Sequence, residues 1–177
     1  MSDTTTAPAA ADAATQAALE RLNTVIDRLI APDGCPWDST QTPESLTEYV
    51  IEECHELVDA IRSGKTADMV EELGDVAFLI LLIGKLMARA GGPSLADALE
   101  VEAAKMVRRH PHVFSDTTYE SQSEQLKDWD RIKREEKAAA DAEGPKGTYD
   151  SLPRGLPPLT KAYRIHAKAD RVGFTWP

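Results

Sequence analysis

A long apolar stretch lies at residues 66–90 and reads TADMVEELGDVAFLILLIGKLMARA. From Val76 onward its hydrophobic residues cover the helix nearly all round, which is typical of a helix surrounded by the rest of a fold. Thr66 is expected to cap this helix, and Gly91-Gly92-Pro93 to end it. The uninterrupted apolar run ends at Ile83, so it is too short for a bilayer span, which takes about 20 residues. The stretch is therefore predicted to form the central helix of the fold.

Further helical patterns flank the central helix, because apolar residues recur three or four positions apart. They are predicted at about residues 17–30, 43–62, 94–109 and 123–142, with a short helix at about 160–172. Aromatic residues make up only 6% of the chain, and it has no long alternating Val/Ile/Thr run. The sequence thus predicts an all-α fold, a bundle of four to five main helices. The excess of apolar surface on the central helix also suggests that the bundle dimerises.

Length, charge and cysteine content limit the class of protein. The 177 residues predict one helical domain at 17–143, between a flexible tail at 1–16 and a Pro-rich extension at 144–177. Residues 1–16 lack the cationic start and long apolar run of a signal peptide. The net charge of −10 argues against nucleic acid as a partner, because phosphate contacts need a basic surface. Cys35 and Cys54 make no disulfide framework, so we expect a cytoplasmic protein without membrane partners.

Two acidic motifs carry the chemistry. The first is Glu52-Glu53-Cys54-His55-Glu56, and the second is Glu72-Leu73-Gly74-Asp75. Residues three or four apart share a helical face, so each motif projects a pair of carboxylates. The connection between the two helices is short, which makes them antiparallel neighbours and lets the pairs converge. The alternative is a solvated acidic face, the usual meaning of a charge run.

Helix geometry favours convergence over a solvated face. Glu53 lies within about 40° of the apolar stripe of its helix, which is formed by Leu46, Val50, Leu57 and Ile61. Asp75 leads onto the stripe of Leu79, Leu82 and Leu86. Like charges on the core side of a helix need compensation, and a hard cation with oxygen ligands supplies it. An all-carboxylate set favours Mg²⁺, with Mn²⁺ as a substitute, over zinc. Glu52-x-x-His55 resembles half of a di-iron motif, but the second half is missing.

Basic residues end the fourth helix at Lys105, Arg108 and Arg109. They either compensate the helix dipole or clamp phosphates that no metal holds. The spacing of His110 and His112 is compatible with a pair of metal ligands. Packing or turn capping is favoured, because Pro111 predicts an extended loop.

Two tryptophans are candidates for substrate contacts. Trp129 and Lys133 share a helical face, so they either stack a base and hold a phosphate or simply pack. Trp37 lies beside Asp38 in a loop rich in Pro and Gly, where a Trp is expected to be buried or used for binding.

In these motifs and their order, the chain resembles the MazG-type nucleoside triphosphate pyrophosphohydrolases, of the all-α NTP pyrophosphatase superfamily. Besides the two acidic motifs, the matching stretches are Gly34-Cys-Pro-Trp-Asp38, Lys105-x-x-Arg-Arg-His-Pro-His-Val-Phe114, Trp129-x-x-Ile-Lys133 and Val172-Gly-Phe-Thr-Trp176. Together they cover roughly residues 19–176. The ordered series is far more specific than either acidic motif alone.

The resemblance implies a helical dimer that converts a nucleoside triphosphate and water to the monophosphate and pyrophosphate, a role in nucleotide-pool house-cleaning. It implies metal ligation by Glu53, Glu56, Glu72 and Asp75, with Glu52 near the attacking water and Glu53 also catalytic. It assigns substrate binding to Lys105, Arg109, Trp129 and Lys133, to which the residue patterns above add Trp37 and Arg108.

Some points stay open at this stage. The best-known members of the family carry two tandem domains, whereas this chain has one, and its ending resembles the connector after a first domain. A narrower all-α enzyme, such as a dUTPase or a phosphoribosyl-ATP pyrophosphohydrolase, is one alternative. A non-catalytic or weakly active nucleotide-binding regulatory module is the other. The residues do not decide between attack at the α- and the β-phosphorus.

Overall fold

The computed structural model describes residues 6–140, 147, 149–150, 152–171 and 173–174. In that part of the chain the regular structure is helical and includes no β-strand. Its α-helices are α1 (Thr6–Leu29), α2 (Thr47–Ser63), α3 (Thr66–Arg89), α4 (Leu95–Arg109), α5 (Pro111–Phe114), α6 (Gln122–Ala140) and α7 (Pro158–Arg171), and a 3₁₀ turn spans Asp38–Thr40. The predicted all-α fold is confirmed.

The chain divides into two compact units, Met1–Ala103 and Ala104–Pro177. The first unit holds α1 to α3 and most of α4, and the second holds the end of α4 with α5 to α7. This division differs from the predicted limits of 17–143 and 144–177, which stay a prediction. Among the residues described, no helix is both long and apolar enough to cross a membrane.

The core of the first unit forms around α3, the predicted central helix. Leu79, Leu82 and Leu86 of α3 are buried and pack with Ile26 of α1 and Leu46, which precedes α2. Full burial of such a side chain stabilises the fold by about 1.5–3 kcal/mol. The 3.6-residue period places Leu22, Val25, Ile26 and Leu29 on one apolar face of α1, as it places Ile61 on that of α2. Both faces are only partly buried, because Val25 and Ile61 are exposed.

Helices α1 and α2 begin at different residues from those predicted. α1 starts at Thr6 instead of near residue 17, because the Ala-rich segment at residues 6–16 has high helix propensity. Residues 6–16 of the expected tail are thus helical, and residues 1–5 lie outside the described part. α2 starts at Thr47 and not directly after Thr42. The backbone N–H groups of Thr42 and Ser45 donate to each other's hydroxyl oxygens at 3.0 and 3.2 Å, which closes a separate turn before the helix.

Two helix ends with a local chemical signal lie close to where they were expected, whereas the expected cap of α3, Thr66, lies within the helix and Lys65 precedes it without a side-chain cap. Gly64 ends α2 in the left-handed region at φ 71°, which a glycine adopts without strain. Ser94 and Asp97 cap α4 reciprocally, since the Ser94 N–H donates to Asp97 Oδ2 at 2.7 Å and the Asp97 N–H to Ser94 Oγ at 3.3 Å. The extended loop expected at Pro111 is instead the short helix α5, because a proline is well accepted in a first helical turn.

Candidate active site formed by carboxylates of α2 and α3

The two acid-bearing helices are direct neighbours. α2 packs along α3, and only Gly64 and Lys65 separate them in sequence. A connection this short makes the helices antiparallel, as predicted. The carboxylates of both motifs are therefore carried by two rigid elements of the first unit.

Three carboxylates converge between these helices, and we call Glu53, Glu56 and Glu72 the acidic cluster. Each offers an oxygen that lies within 4.8 Å of the oxygens offered by the other two. Glu53 and Glu72 are half-buried, and Glu56 is exposed. The Oε2 atom of Glu72 is buried and has no hydrogen-bond partner among the residues that the structure describes. A buried carboxylate oxygen without a partner is costly, so the cluster has an unmet need for positive charge.

The pKa values of two members agree with that need. Burial, followed by the charges of Asp75, Glu56 and Glu52, raises the pKa of Glu53 above its ordinary value of 4.5. Burial, followed by the charge of Glu56 and those of other nearby carboxylates, raises the pKa of Glu72. A divalent cation on these oxygens would relieve both causes, and carboxylate oxygens are the ligands that Mg²⁺ and Mn²⁺ prefer. The donor set therefore fits a hard divalent cation.

Asp75 and Glu52 lie beside the cluster and are both exposed. The expected core-side position of Asp75 is not what the structure has, because Asp75 is exposed and the first buried side chain of α3 is Leu79, one turn further along. Asp75 also falls outside the group of three whose oxygens converge, although its charge raises the pKa values of both Glu53 and Glu72. Three of the four predicted ligands thus come together closely.

The predicted phosphate clamp lies in the second unit and is bound to a carboxylate. Arg109 donates from Nε and Nη2 to Glu136 Oε2 at 2.9 and 2.7 Å, and Arg108 Nε donates to Glu136 Oε1 at 3.1 Å. Burial raises the pKa of Glu136 most, yet the hydrogen bonds and charges of the two arginines together hold it below its ordinary value. Arg109 is therefore ready to bind an anion, and in the structure that anion is Glu136. Lys105 is half-buried.

Trp129 and Lys133 meet as the helix spacing predicted. The Lys133 Nζ atom lies 4.1 Å from the centre of the Trp129 ring, and the Arg109 guanidinium carbon lies 5.8 Å from it. Both distances are within the range of a cation–π interaction. The ring face that was a candidate for base stacking thus already has a cation over it.

The histidines after α4 agree with capping and packing rather than with a metal pair. His110 Nδ1 lies 2.7 Å from the carbonyl oxygen of Met106, so it satisfies a group at the end of α4. His112 Nε2 lies 3.1 Å from Gln125 Nε2.

Two residues with a place in these arrangements were not singled out from sequence. Tyr49 lies four residues before Glu53 on α2, and its ring contacts that of Trp37. The helical spacing to Glu53 was a signal that could have found it. Glu136 of α6 pairs with Arg108 and Arg109 of α4, and no local sequence pattern predicts such a contact.

Two cavities of the first unit lie away from the acidic cluster. One of about 470 Å³ is lined by residues around Thr42, Pro43 and Arg89. Another of about 510 Å³ is lined mainly by apolar residues of α3 and α4. No residue of the acidic cluster lines either of them.

The chain is similar in sequence and in structure to proteins of one known family. The MazG nucleotide pyrophosphohydrolase domain matches residues 41–114, which include both acidic motifs. The crystal structure of a mazG-related protein from Thermotoga maritima superposes with a TM-score of 0.55 at 31% identity, covering 64% of this chain and 97% of that one. The chain belongs to the MazG family.

Longer relatives resemble this MazG chain over most of its length. The nucleoside triphosphate pyrophosphohydrolase of Escherichia coli K12 is 37% identical over 159 residues, covering 89% of this chain and 59% of the relative. The corresponding protein of Thermotoga maritima is 38% identical, covering 89% and 58%. The uncharacterized protein YabN of Bacillus subtilis is 42% identical, covering 80% and 28%. The chain therefore spans between 28% and 59% of the lengths of these three relatives.

Proposed function

We propose that this MazG chain hydrolyses nucleoside triphosphates to the monophosphate and pyrophosphate, with Mg²⁺, or Mn²⁺ in its place, at the acidic cluster. The proposal rests above all on Glu72 Oε2, a buried oxygen in a group of three convergent carboxylates, for which the described part of the chain offers no hydrogen-bond partner. Family membership supports the reaction, because relatives named nucleoside triphosphate pyrophosphohydrolases match over 89% of this chain. House-cleaning of the nucleotide pool in the cytoplasm is part of the same proposal.

The acidic cluster and Asp75 would hold the cation. When bound, the cation would offset negative charge on the phosphate oxygens of the substrate. Glu52 is exposed beside Glu53 on α2, and its carboxylate would orient a water molecule and accept its proton. Glu53 would take part in catalysis as well as in ligation of the cation.

For the second unit, taken by itself, we propose that its basic residues bind phosphate. Arg109 and Arg108 would exchange Glu136 for phosphate oxygens, since both are geometrically suited to bidentate anions. Lys105 and Lys133 would add charge, and Trp129 would support Lys133 through its ring face.

A nucleotide panel tests the proposal. Ribo- and deoxyribonucleoside triphosphates are incubated with Mg²⁺, Mn²⁺ or EDTA, and the monophosphate and pyrophosphate are quantified. Turnover with either metal, its absence in EDTA, and its loss in Glu72→Gln support the proposal. Turnover in EDTA, or full activity of Glu72→Gln, would contradict the metal site. Hydrolysis in ¹⁸O-labelled water then locates the attack, because label in the monophosphate means attack at the α-phosphorus.

The arginine–Glu136 contact favours a second function, a nucleotide-binding regulatory module, because Arg109 is already neutralised. This alternative predicts thermal stabilisation by nucleotides without release of pyrophosphate. A dUTPase-like or other narrow enzyme predicts turnover of a single member of the panel. The same experiment thus separates the three functions.

We also propose that the chain forms a homodimer through α2 and α3. Exposed apolar side chains recur on one face of each helix: Ile51, Val58 and Ile61 on α2, and Val70, Leu73 and Ile80 on α3. Leu73→Glu should convert the dimer to a monomer in analytical ultracentrifugation. A wild-type chain that sediments as a monomer at every concentration contradicts this part.

A further inference from the structure

Two half-exposed aromatic rings meet at the surface of the first unit. Trp37 and Tyr49 contact edge to face, with ring centres 5.6 Å apart and planes at 90°. Trp37 is 48% exposed and Tyr49 is 39% exposed. Aromatic rings left open to solvent with a polar edge are typical of binding surfaces.

The loop that carries Trp37 is held firmly in place. Gly34 packs so closely on the end of α1 that a Cβ atom there would overlap the carbonyl oxygens of Arg28 and Leu29. Arg89 of α3 donates to the carbonyl oxygen of Ser39 at 3.2 Å, just beyond Trp37. The ring is thus ordered in advance, which lowers the entropy cost of binding a ligand.

Helix geometry links this pair to the acidic cluster. Tyr49 precedes Glu53 by four residues and Glu56 by seven on α2, so it lies within about 40° of both around the helix axis. The separation from Glu53 along the axis is about 6 Å, roughly one turn. A ligand with phosphates at Glu53 therefore meets an aromatic ring on the next turn.

Two other aromatic residues, Phe78 and Trp129, are less suited to this task. Phe78 of α3 packs against the core. Trp129 has the Lys133 ammonium 4.1 Å from its ring centre. Tyr49, supported by Trp37, is the aromatic surface that the two acid-bearing helices provide.

From this arrangement we infer that Trp37 and Tyr49 form a stacking platform for the nucleobase of a nucleoside triphosphate whose phosphates lie at the acidic cluster, an inference that rests on the proposed function. Every base has a π-face, so stacking on these rings accepts purines and pyrimidines alike. The substrate class is thus nucleoside triphosphates with little base preference.

Kinetics of three variants, Trp37→Ala, Tyr49→Ala and Tyr49→Phe, test the platform. Each alanine variant should raise KM about tenfold for all four ribonucleotides, with kcat within about twofold, because only stacking is lost. Tyr49→Phe keeps the ring and should keep the wild-type KM. Circular dichroism and sedimentation of each variant verify that folding and oligomeric state are unchanged.

A base-specific readout accompanies the kinetics. A 2-aminopurine nucleoside triphosphate should be quenched on binding to the wild type and to Tyr49→Phe, and remain bright with either alanine variant. Unchanged KM in both alanine variants, or a raised KM with quenching retained, overturns the platform. A wild type that quenches the probe but hydrolyses no nucleotide leaves the platform standing and refutes the proposed function. A wild type that hydrolyses nucleotides without quenching the probe supports the proposed function and refutes the platform.

Discussion

Glu53→Gln should change the stability of this protein in opposite directions with and without Mg²⁺. The substitution keeps the size of the side chain and removes one of three convergent negative charges. In the metal-free protein that charge is unfavourable, as the raised pKa of Glu53 indicates. With a cation bound, the same carboxylate becomes a ligand. The sign of the effect therefore reports on the metal site itself.

Both effects have a calculable size. The Glu53 carboxylate offers an oxygen within 4.8 Å of those of Glu56 and Glu72. At this separation a pair of unit charges repels by about 1 kcal/mol in water, and salt reduces this further. Metal-free Glu53→Gln should thus gain about 1 kcal/mol, or about 2–4 °C in Tm for a chain of this size. Wild type at a Mg²⁺ concentration 100 times its Kd should gain about 2.7 kcal/mol, about 5–10 °C.

Thermal unfolding followed by circular dichroism, in EDTA and across a Mg²⁺ series, measures both effects. Asp59→Asn is the matched control, because Asp59 lies on the same helix and its side chain is 81% exposed. It removes one exposed charge that is not part of the acidic cluster and whose ion pair with Arg62, at 3.7 Å, is also exposed, so Tm and the Mg²⁺ response should stay near those of the wild type. Turnover should be lost in Glu53→Gln and kept in Asp59→Asn.

A lower metal-free Tm of Glu53→Gln would refute the repulsion within the acidic cluster, because the convergent charges would then not destabilise the fold. Full stabilisation of the variant by Mg²⁺ would refute the role of Glu53 as a ligand. An equal Mg²⁺ response in a protein without Glu53 would place the cation elsewhere.

Three further outcomes are expected. The raised pKa of Glu72 means that the folded metal-free protein binds protons more tightly than the unfolded chain, so its contribution to stability is lost as pH rises above the ordinary value of 4.5. In EDTA, wild type should therefore become progressively less stable than Glu72→Gln above that pH, and Mg²⁺ should reverse the difference in unfolding curves. Glu136→Gln should free Arg109 and lower KM for nucleotides about tenfold in steady-state kinetics, since charge-assisted hydrogen bonds of about 1.5–3 kcal/mol no longer compete; an unchanged KM would mean that Arg109 does not bind substrate. Gly34→Ala should destabilise the fold by about 1–3 kcal/mol in chemical denaturation, because its Cβ overlaps the end of α1, and an unaffected midpoint would contradict that close approach.

Sequence patterns predicted the features that depend on local chemistry. The end of α2 at Gly64 and the cap formed by Ser94 and Asp97 are properties of a few adjacent residues. The burial of Leu82 also follows from pattern alone, because α3 is apolar on nearly every side there. Val25 and Ile61 show the limit, since an apolar stripe predicts that a face is buried only where another element covers it.

Contacts between distant residues escaped sequence reasoning at the candidate site. Glu136 lies 27 residues after Arg109, and neither residue alone predicts their hydrogen bonds. The convergence of Glu53 and Glu72 was predictable because a short connection fixes α2 beside α3. Asp75 was expected on the core side of α3 but is exposed, because its burial depends on what covers α3, which periodicity does not reveal.

The position of Glu72 on α3 explains how the fold sustains an unfavourable charge cluster. The buried side chains of this helix lie between Leu79 and Leu86, and Leu79 follows Glu72 by about two turns. A helix is rigid over such a distance, so packing of its second half fixes the carboxylates carried by its first half. The apolar contacts that stabilise the protein are therefore separate from the carboxylates that destabilise it, although α3 carries residues of both groups. A separate loop could not hold like charges together in this way, because it would move to relieve their repulsion.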